Sequence, residues 1–288
     1  MSRYHLMHCI PHPRLHGLHG YKEVIETLEW GLRQLGHAPS YAINAFDPSA
    51  TNIVFGAHML PVESLERLPG NSIVYSLEQA RNLRPQEMPA QVQYLAERFE
   101  IWDYSCANSE AWRDLGASRV KIVPVGYAPV LTRIQQADVQ DLDILIYGMS
   151  GPNRLHALHA LSLAGLTVLF ASGLYGEARD NLIGRSKLVL NVNLYDFAQI
   201  FEIVRVSYLF ANRKAVVATK DPQTFVESDV GAGVKFTTLE KLVDDCRYLL
   251  EHDDVRAALE AKGFEIMRHR DIREILRAAL SDRSSPAA

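Results

Sequence analysis

The sequence predicts an α/β fold built from two successive halves, each with a parallel sheet. Short apolar runs alternate with longer amphipathic runs along the 288 residues, which is the pattern of parallel strands covered by helices. The alternation is interrupted once, at 129–142, where glutamine and aspartate replace the apolar residues. Apolar residues make up 48% of the chain and charged residues 22%, a balance that is typical of globular proteins and sufficient to fill two cores.

The first half reads as strand and helix in turn. The predicted helix at 21–35 has Val24, Ile25, Leu28 and Leu32 at helical spacing and is followed by Gly36, a residue that commonly ends helices. Ser109 is expected to cap a short helix at 110–115. The remaining elements of this half are strands at 4–10, 52–56, 72–77, 104–107 and 120–125 and a helix at 91–99.

The second half repeats the alternation after the polar stretch at 129–142, which we interpret as a linker. The predicted strands are 143–147, 167–170, 188–192, 215–218 and 234–236, and the predicted helices are 153–164, 178–185, 199–211, 239–251 and 254–267. These elements give an N-terminal domain at 1–130, a C-terminal domain at 131–280 and a disordered tail at 281–288.

Charge, cysteine content and hydropathy exclude several classes of protein. The net charge of -4 does not favour nucleic-acid binding. Cys9, Cys106 and Cys246 are far apart and form no Cys-x-x-Cys pair, so we interpret them as structural thiols in a reducing cytoplasm. No apolar run approaches the roughly 20 residues that span a bilayer, and the first ten residues resemble a strand more than a signal peptide. We therefore expect a cytoplasmic protein, with peripheral membrane contact left open.

Ligands of open parallel sheets bind beyond the carboxyl ends of the strands, and in the first half three segments lie there. The loop at 11–20 contains His12, His16 and His19 together with Gly17 and Gly20. Three histidines allow zinc binding, but no nearby cysteine or carboxylate completes a ligand set. If the histidines bind no zinc, the loop is either a polar surface loop or a loop that faces the substrate. His58 and Glu78 follow the next two strands, and a helix-capping carboxylate is the alternative for Glu78.

In the second half, the loop after the first strand has the residues of a phosphate site. Gly148 permits close backbone approach, the following helix N-terminus favours anions, and Arg154 lies one turn into that helix. A plain tight turn is an equally good interpretation. The missing Gly-x-Gly-x-x-Gly motif disfavours dinucleotide binding. Further polar residues of the same strand ends are Ser150, Asn153, Tyr175, Asn191 and Asn193.

The apolar helix predicted at 199–211 contains Glu202 and Arg205 three positions apart, on one face. Such a pair is commonly a solvated surface feature. Because the rest of this helix is apolar and should be buried, the pair requires either a partner or a cleft.

Two ordered sets of motifs resemble GT-B glycosyltransferases. The first set leads from Asn-Ser-Glu at 108–110 through Leu-Gly at 115–116 to Val-Lys-Ile-Val-Pro-Val-Gly at 120–126. The second set leads from Ile-Tyr-Gly at 146–148 through Leu-Val-Leu-Asn at 188–191 to Ala-Val-Val-Ala-Thr at 215–219. The resemblance covers about residues 104–250 and is nearest to the CgeB-like and glycosyltransferase group 1-like enzymes.

This resemblance implies two Rossmann-like domains in the GT-B architecture, with a cleft between them. It also implies a nucleotide-sugar donor held mainly by the second domain, no cofactor and no metal. Gly148 falls on the glycine after the first strand of the family's donor domain, and Arg154 falls near its basic diphosphate residue. The chain departs from the family where two glutamates usually stand eight apart, because those positions hold Ile200 and Tyr208. The family's Ala-Cys-Gly turn reads Ala-Asn-Arg at 211–213.

The resulting hypothesis is a metal-independent hexosyltransferase whose acceptor is a glycan, a lipid-linked molecule or a protein. Donor binding is assigned to Gly148, Ser150, Asn153, Arg154, Tyr175, Asn191, Asn193, Glu202 and Arg205. Arg154 and Arg205 would neutralise the diphosphate, the backbone at 148–150 would supply N–H groups, and Glu202 would hold the ribose or the sugar. Catalysis is assigned to Glu78, His16 and His58, with Glu78 as general base. Acceptor binding is assigned to Gly17, His19 and Gly20.

Two alternatives to this hypothesis are left open. The first is a non-catalytic GT-B-like module that binds a nucleotide or glycan, and the second is a NAD-dependent enzyme.

Overall fold

The computed structural model describes residues 2–10, 12, 16–80, 89–194 and 199–281, without the side chains of 16–18. The chain divides into two compact units, of which the first comprises Met1–Ala128 together with Arg270–Ala288 and the second comprises Pro129–His269. The prediction placed 131–280 in one domain. In the structure the segment from Arg270 onward returns to the first unit, because its apolar helix packs there. Of the predicted disordered tail, 282–288 lies outside the described residues.

The first unit is built on a six-stranded parallel sheet in the order β2-β1-β3-β4-β5-β6. Its centre is apolar on both faces, as parallel strands require; Ile53 of β3, Ile73 of β4 and Ile101 of β5 are fully buried. The strands are β1 (Arg3–His8), β2 (Ala38–Ile43), β3 (Thr51–Phe55), β4 (Ile73–Ser76), β5 (Glu100–Asp103) and β6 (Val120–Ile122).

Helices cover this sheet and one of them comes from the end of the chain. In sequence order they are α1 (Lys22–Gln34), α2 (Val62–Leu65), α3 (Ala90–Arg98), α4 (Ser109–Asp114) and, much later, α10 (Ile272–Leu280). Helix α10 packs against α1 at Gly31, where the missing side chain makes room for Leu276 and Ile272. The backbone pairing of Tyr127 with Asp271 fixes its start.

The second unit has a five-stranded parallel sheet in the order β11-β10-β9-β7-β8. The strands are β7 (Leu142–Tyr147), β8 (Val168–Ala171), β9 (Ser186–Asn191), β10 (Ala215–Thr219) and β11 (Val234–Thr237), and the helices are α5 (Pro152–Leu163), α6 (Glu177–Arg185), α7 (Ile203–Ala211), α8 (Leu242–Glu251) and α9 (Asp253–His269). On one face, Ala157 and Leu161 of α5 share a core with Leu242 and Leu249 of α8.

The polar stretch predicted as a linker is bound to the second unit through Asn212. The Asn212 Oδ1 accepts from the backbone N–H groups of Arg133 and Ile134, both at 2.8 Å. Its Nδ2 donates to the carbonyls of Leu131 and Tyr208. Three of the four hydrogen bonds of this buried amide therefore hold the stretch against the end of α7, and the fourth is made to the Tyr208 carbonyl of α7 itself.

Some predicted boundaries were wrong, and each error has a local cause. The strand predicted at 104–107 lies earlier in the structure, as β5, and ends at Asp103. The chain turns after Asp103, whose carboxylate accepts a hydrogen bond from the N–H of Ser105 at 2.9 Å. Ser109 does not cap α4, because it is the first helical residue and its hydroxyl donates to the Cys106 carbonyl at 2.8 Å. The helix predicted at 199–211 begins only at Ile203, since the preceding backbone pairs with Phe225.

Three elements were not predicted, β2, α2 and α10. Strand β2 lies at the edge of its sheet, is largely exposed, and contains Pro39, so it shows no apolar run. The three cysteines are free as expected, and Cys9 and Cys246 are buried, but Cys106 is exposed.

Candidate functional site

The strand order of the second unit places its topological switch point between β7 and β9. Strand β7 continues into α5 and strand β9 into α7. Because crossover connections are right-handed, helices that leave the two strands of a switch point go to opposite faces of the sheet. Side chains from α5 and from the start of α7 therefore meet above the carboxyl ends of β7 and β9.

Arg154, in the first turn of α5, is one of these side chains and is almost completely buried, at 1% exposure. Its Nε donates to the Val192 carbonyl at 2.9 Å and its Nη1 to the Met149 carbonyl at 2.8 Å. Its Nη2 contacts Glu202 Oε1 at 3.2 Å. Arg154 thus joins the loop after β7 to the loop after β9, and its guanidinium group is surrounded by protein.

Glu202 is the N-cap residue of α7 and connects two arginines. While its Oε1 contacts Arg154, its Oε2 lies 3.1 Å from Nη1 of Arg205. Arg205 stacks over the ring of Tyr147, with its guanidinium carbon 5.2 Å from the ring centroid. About a fifth of the Arg205 side chain is exposed, so this arginine, unlike Arg154, is accessible to a ligand.

Gly148 and Asn191 complete this cluster. Gly148 has a φ of +122°, and a β-carbon there would lie 2.9 Å from both Arg154 Nη1 and Arg205 Nη2. Asn191, at the end of β9, is fully buried and its Oδ1 accepts from Arg205 Nη1 at 3.4 Å. Its Nδ2 has no hydrogen-bond partner among the described residues, and buried amide hydrogens normally have one.

The other predicted donor residues lie in the loops at the same sheet edge. Ser150 is exposed after β7, Asn153 is half-buried at the start of α5, and Tyr175 is half-buried after β8. Asn193 is buried, with its N–H 3.4 Å from Thr219 Oγ1. The Gly148 N–H, predicted to face an anion, donates instead to the Ala171 carbonyl at 3.0 Å because sheet pairing continues to that residue.

The first unit has its own polar cluster, around Glu78. Glu78 follows β4, is exposed, and accepts a hydrogen bond from the hydroxyl of the buried Tyr21. Burial, followed by the Glu78 charge, raises the Tyr21 pKa well above its ordinary value. His58 follows β3, and burial lowers its pKa while the nearby Glu78 charge opposes that change. The Asn108 side chain donates to the Glu78 carbonyl at 2.9 Å.

Asn108 also links Glu78 to a fully buried carboxylate, Asp103. Asp103 accepts from Asn108 Nδ2 at 3.0 Å and from Trp112 Nε1 at 2.7 Å. Burial raises the Asp103 pKa to about 6 and its hydrogen bonds partly offset the rise. This network fixes the loop that carries the Asn-Ser-Glu motif.

The predicted histidine loop is only partly described. His16 and Gly17 lie in the 3-10 turn His16–Tyr21, but their side chains are outside the described residues. The ring of His19 is half-buried, with its centroid 6.5 Å from that of His8. Gly20 has open space where a β-carbon would be. Within the described part of the chain, no set of three or more His, Cys, Asp and Glu side chains is arranged to bind a metal.

The two positions at which the family's glutamates are missing are buried. Ile200 pairs with Phe225. The Tyr208 hydroxyl donates to Asp180 at 2.8 Å and accepts from Arg133 Nε at 3.0 Å. Arg213, at the position of the family's turn glycine, has a φ of +53°. Arg213 thus adopts a left-handed conformation without being a glycine, and its guanidinium group stacks on Phe264.

Tyr147, Tyr21 and Asp103 belong to these clusters and were not among the predicted site residues. Tyr147 and Asp103 are the last residues of β7 and β5. Extending the rule of strand ends to the final strand residue would have included both. Tyr21 gave no signal, because its partner Glu78 is distant in sequence.

Two successive Rossmann-like units define the architecture of the GT-B glycosyltransferases, and solved structures share this fold. Anabaena HepE in complex with UDP and glucose is 14% identical, with a TM-score of 0.61, covering 99% of this chain and 100% of that one. Sucrose-phosphate synthase from Thermosynechococcus elongatus is 9% identical, with a TM-score of 0.65 and 98% of both chains covered. WaaG, a glycosyltransferase involved in lipopolysaccharide biosynthesis, is 11% identical, with a TM-score of 0.61, covering 98% of this chain and 100% of that one. The chain therefore has the GT-B fold.

Sequence comparisons add one curated relative. The uncharacterized protein L140 of Acanthamoeba polyphaga mimivirus is 26% identical over 150 residues, which are 50% of this chain and 48% of that protein. The match thus spans about half the length of that relative. No family model matches the sequence. None of the helices in the described ranges is both long and apolar enough to cross a membrane.

Proposed function

We propose that this chain is a glycosyltransferase that moves a hexose from a nucleotide-diphosphate sugar, bound to the unit Pro129–His269, to an acceptor. The observation that carries the proposal is the Arg205 guanidinium group over Gly148, at the switch point between β7 and β9. Among proteins that share the fold, HepE was solved with UDP and glucose and with UDP-glucose. These complexes support a nucleotide sugar as the donor.

The charges of the cluster suit the chemistry of glycosyl transfer. As the glycosidic bond breaks, the sugar develops oxocarbenium character and negative charge grows on the leaving diphosphate. Arg205 supplies a positive charge next to a residue without a side chain, and the N-terminus of α5 adds its dipole. Both would stabilise the leaving group in the transition state.

Metal independence is part of the proposal, because guanidinium and helix-dipole charge would take the place of a divalent cation at the diphosphate. Transfer should therefore proceed at the same rate in excess chelator. Loss of activity in chelator, restored by a divalent cation, would require a metal at the donor.

The acceptor is proposed to bind at the cluster of the first unit, with Glu78 as general base. Its carboxylate is exposed and is held in place by the Tyr21 hydroxyl, while Asn108 holds its backbone. An oriented carboxylate is suited to remove a proton from an acceptor hydroxyl during attack. His58, whose pKa responds to the Glu78 charge, and His19 are the candidates for binding the acceptor.

The decisive test measures release of free nucleotide from UDP-, GDP- and dTDP-sugars in the presence of glycan acceptors. We expect Arg205→Ala to lower the rate by about a hundredfold or more, as expected when a charge-stabilising donor is lost, and Glu78→Gln to lower it as well. Arg185→Ala is the matched control, since Arg185 forms an exposed ion pair with Asp141 at 2.6 Å. Wild-type rates in both test variants would exclude the assignment, and binding without release would favour a non-catalytic module.

A further inference from the structure

Glu202 occupies the space between two guanidinium groups, with one oxygen on each. Its Oε1 is 3.2 Å from Arg154 Nη2 and its Oε2 is 3.1 Å from Arg205 Nη1. Two oxygens of a phosphate group meet a pair of arginines in a similar way. The cluster thus already contains an anion that belongs to the chain.

Of the two arginines, the buried Arg154 has the greater need of the Glu202 carboxylate as a counter-ion. The Arg154 side chain is 1% exposed, and the other contacts of its guanidinium group described above are neutral carbonyl oxygens. A buried cation without a counter-ion is strongly unfavourable. Glu202, with its Oε1 3.2 Å from Arg154 Nη2, supplies a counter-ion to Arg154 with one of its two oxygens.

The second oxygen of Glu202 contacts Arg205. The two terminal nitrogens of this guanidinium group have different neighbours. Its Nη1 is shared by Glu202 and Asn191, and its Nη2 lies over Gly148. A phosphate that binds above Gly148 would share this guanidinium group with Glu202. Since two anions beside one cation repel each other, the ligand and Glu202 compete.

We propose that Glu202 is an internal counter-anion that competes with the donor's diphosphate for Arg205 and so limits how tightly the nucleotide is held. The inference rests on the donor site proposed above and gives Glu202 a different role from a ribose contact. Weaker binding of the diphosphate favours release of the nucleotide product after transfer. Removing the carboxylate should strengthen binding of the diphosphate but leave binding of a nucleoside without phosphate unchanged.

The test compares wild type with Glu202→Gln, using inorganic pyrophosphate as the probe in calorimetric titrations and thermal unfolding. Glu251→Gln, at an exposed position at the end of α8, is the control. Loss of a partly exposed ion pair predicts roughly three- to tenfold tighter pyrophosphate binding for Glu202→Gln. The unliganded variant should unfold at a lower temperature than wild type, and pyrophosphate should raise its unfolding temperature more.

Equal or weaker pyrophosphate binding by Glu202→Gln overturns the inference, as does the absence of pyrophosphate binding in both proteins. If Glu202→Gln does not fold, the double variant Arg154→Met with Glu202→Gln removes the buried cation as well. The double variant is expected to bind at least as tightly as wild type, and weaker binding overturns the inference. A wild type that binds pyrophosphate but no nucleotide diphosphate refutes the proposed function alone.

Discussion

Gly148 and Arg205 approach each other so closely that a β-carbon on residue 148 would lie 2.9 Å from Nη2 of Arg205. The φ of Gly148, +122°, is also one that side chains rarely adopt. Gly148→Ala should therefore displace Arg205 and weaken UDP binding by at least tenfold, as measured by calorimetry.

Gly173→Ala is the matched control for this substitution. Gly173 follows β8, has a φ of +71°, and has nothing within 4 Å of a β-carbon. It should lose about 1 kcal/mol of stability from strain alone and bind UDP as wild type does. If the two variants bind UDP equally well, the position of Arg205 over Gly148 has no role in binding.

Arg154 should contribute to stability more than a surface arginine. Arg154→Met leaves the carbonyls of Val192 and Met149 without their donors, and we expect a loss of about 2–4 kcal/mol in the free energy of unfolding. Arg185→Met should lose less than about 1 kcal/mol, because its ion pair is exposed. Urea denaturation of both variants measures the difference, and similar losses would contradict the burial of Arg154.

The buried carboxyl of Asp103 should make stability depend on pH. Its pKa is raised from 3.8 to about 6 in the folded protein, so the folded state holds this proton more tightly than the unfolded state. Its contribution to stability is fully present below pH 3.8 and is lost as the pH rises through about 6. Asp103→Asn does not titrate, so wild type should lose on the order of 2–3 kcal/mol relative to this variant between about pH 4 and pH 6.

Unfolding curves recorded across that pH range test the prediction. Asp114→Asn, at an exposed position of the same unit, is the control and should give a curve parallel to that of wild type. A curve for Asp103→Asn that also runs parallel to wild type would show that burial does not raise the Asp103 pKa.

The packing of α10 on α1 predicts an effect of Gly31→Ala. A β-carbon at residue 31 would lie 2.7 Å from Leu276 Cδ1 and 3.0 Å from Ile272 Cγ2. Although alanine favours helices over glycine, overpacking should cost about 1–3 kcal/mol. Leu276→Ala in the same chain should remove part of that cost, so that the two changes are not additive.

Gly70→Ala is the control for this pair, because a β-carbon there meets nothing within 4 Å. Urea denaturation measures the free energy of unfolding of the wild type and of each of these variants. A neutral or stabilising effect of Gly31→Ala would mean that α10 does not pack on α1 as the structure shows.

The sequence predicted the cluster of the second unit better than its internal contacts. The alternation of apolar and amphipathic runs predicts where the strands end, and the carboxyl ends of parallel strands lie together. This places five residues at one sheet edge: Gly148, Arg154, Asn191, Glu202 and Arg205. The burial of Arg154 depends in part on the Val192 carbonyl, 38 residues away in the sequence, and no local pattern contains that information. The contact between Glu202 and Arg154 was hidden for the same reason, since the two residues are 48 positions apart.

Two features of the fold escaped prediction because their causes are not local. Helix α10 is stabilised by α1, more than two hundred residues earlier in the chain, and its short pattern alone does not indicate to which unit it belongs. The turn at Arg213 keeps a φ of +53° without glycine, and the stacking of Arg213 on Phe264 accompanies it.

A crystal structure of the chain with UDP shows whether a nucleotide diphosphate binds above Gly148 at Arg205. We expect diphosphate oxygens within about 3 Å of the Arg205 guanidinium nitrogens, at the N-terminus of α5. A diphosphate bound elsewhere on the chain, or an Arg205 that keeps only its contacts with Glu202 and Asn191 in saturating UDP, would contradict this expectation.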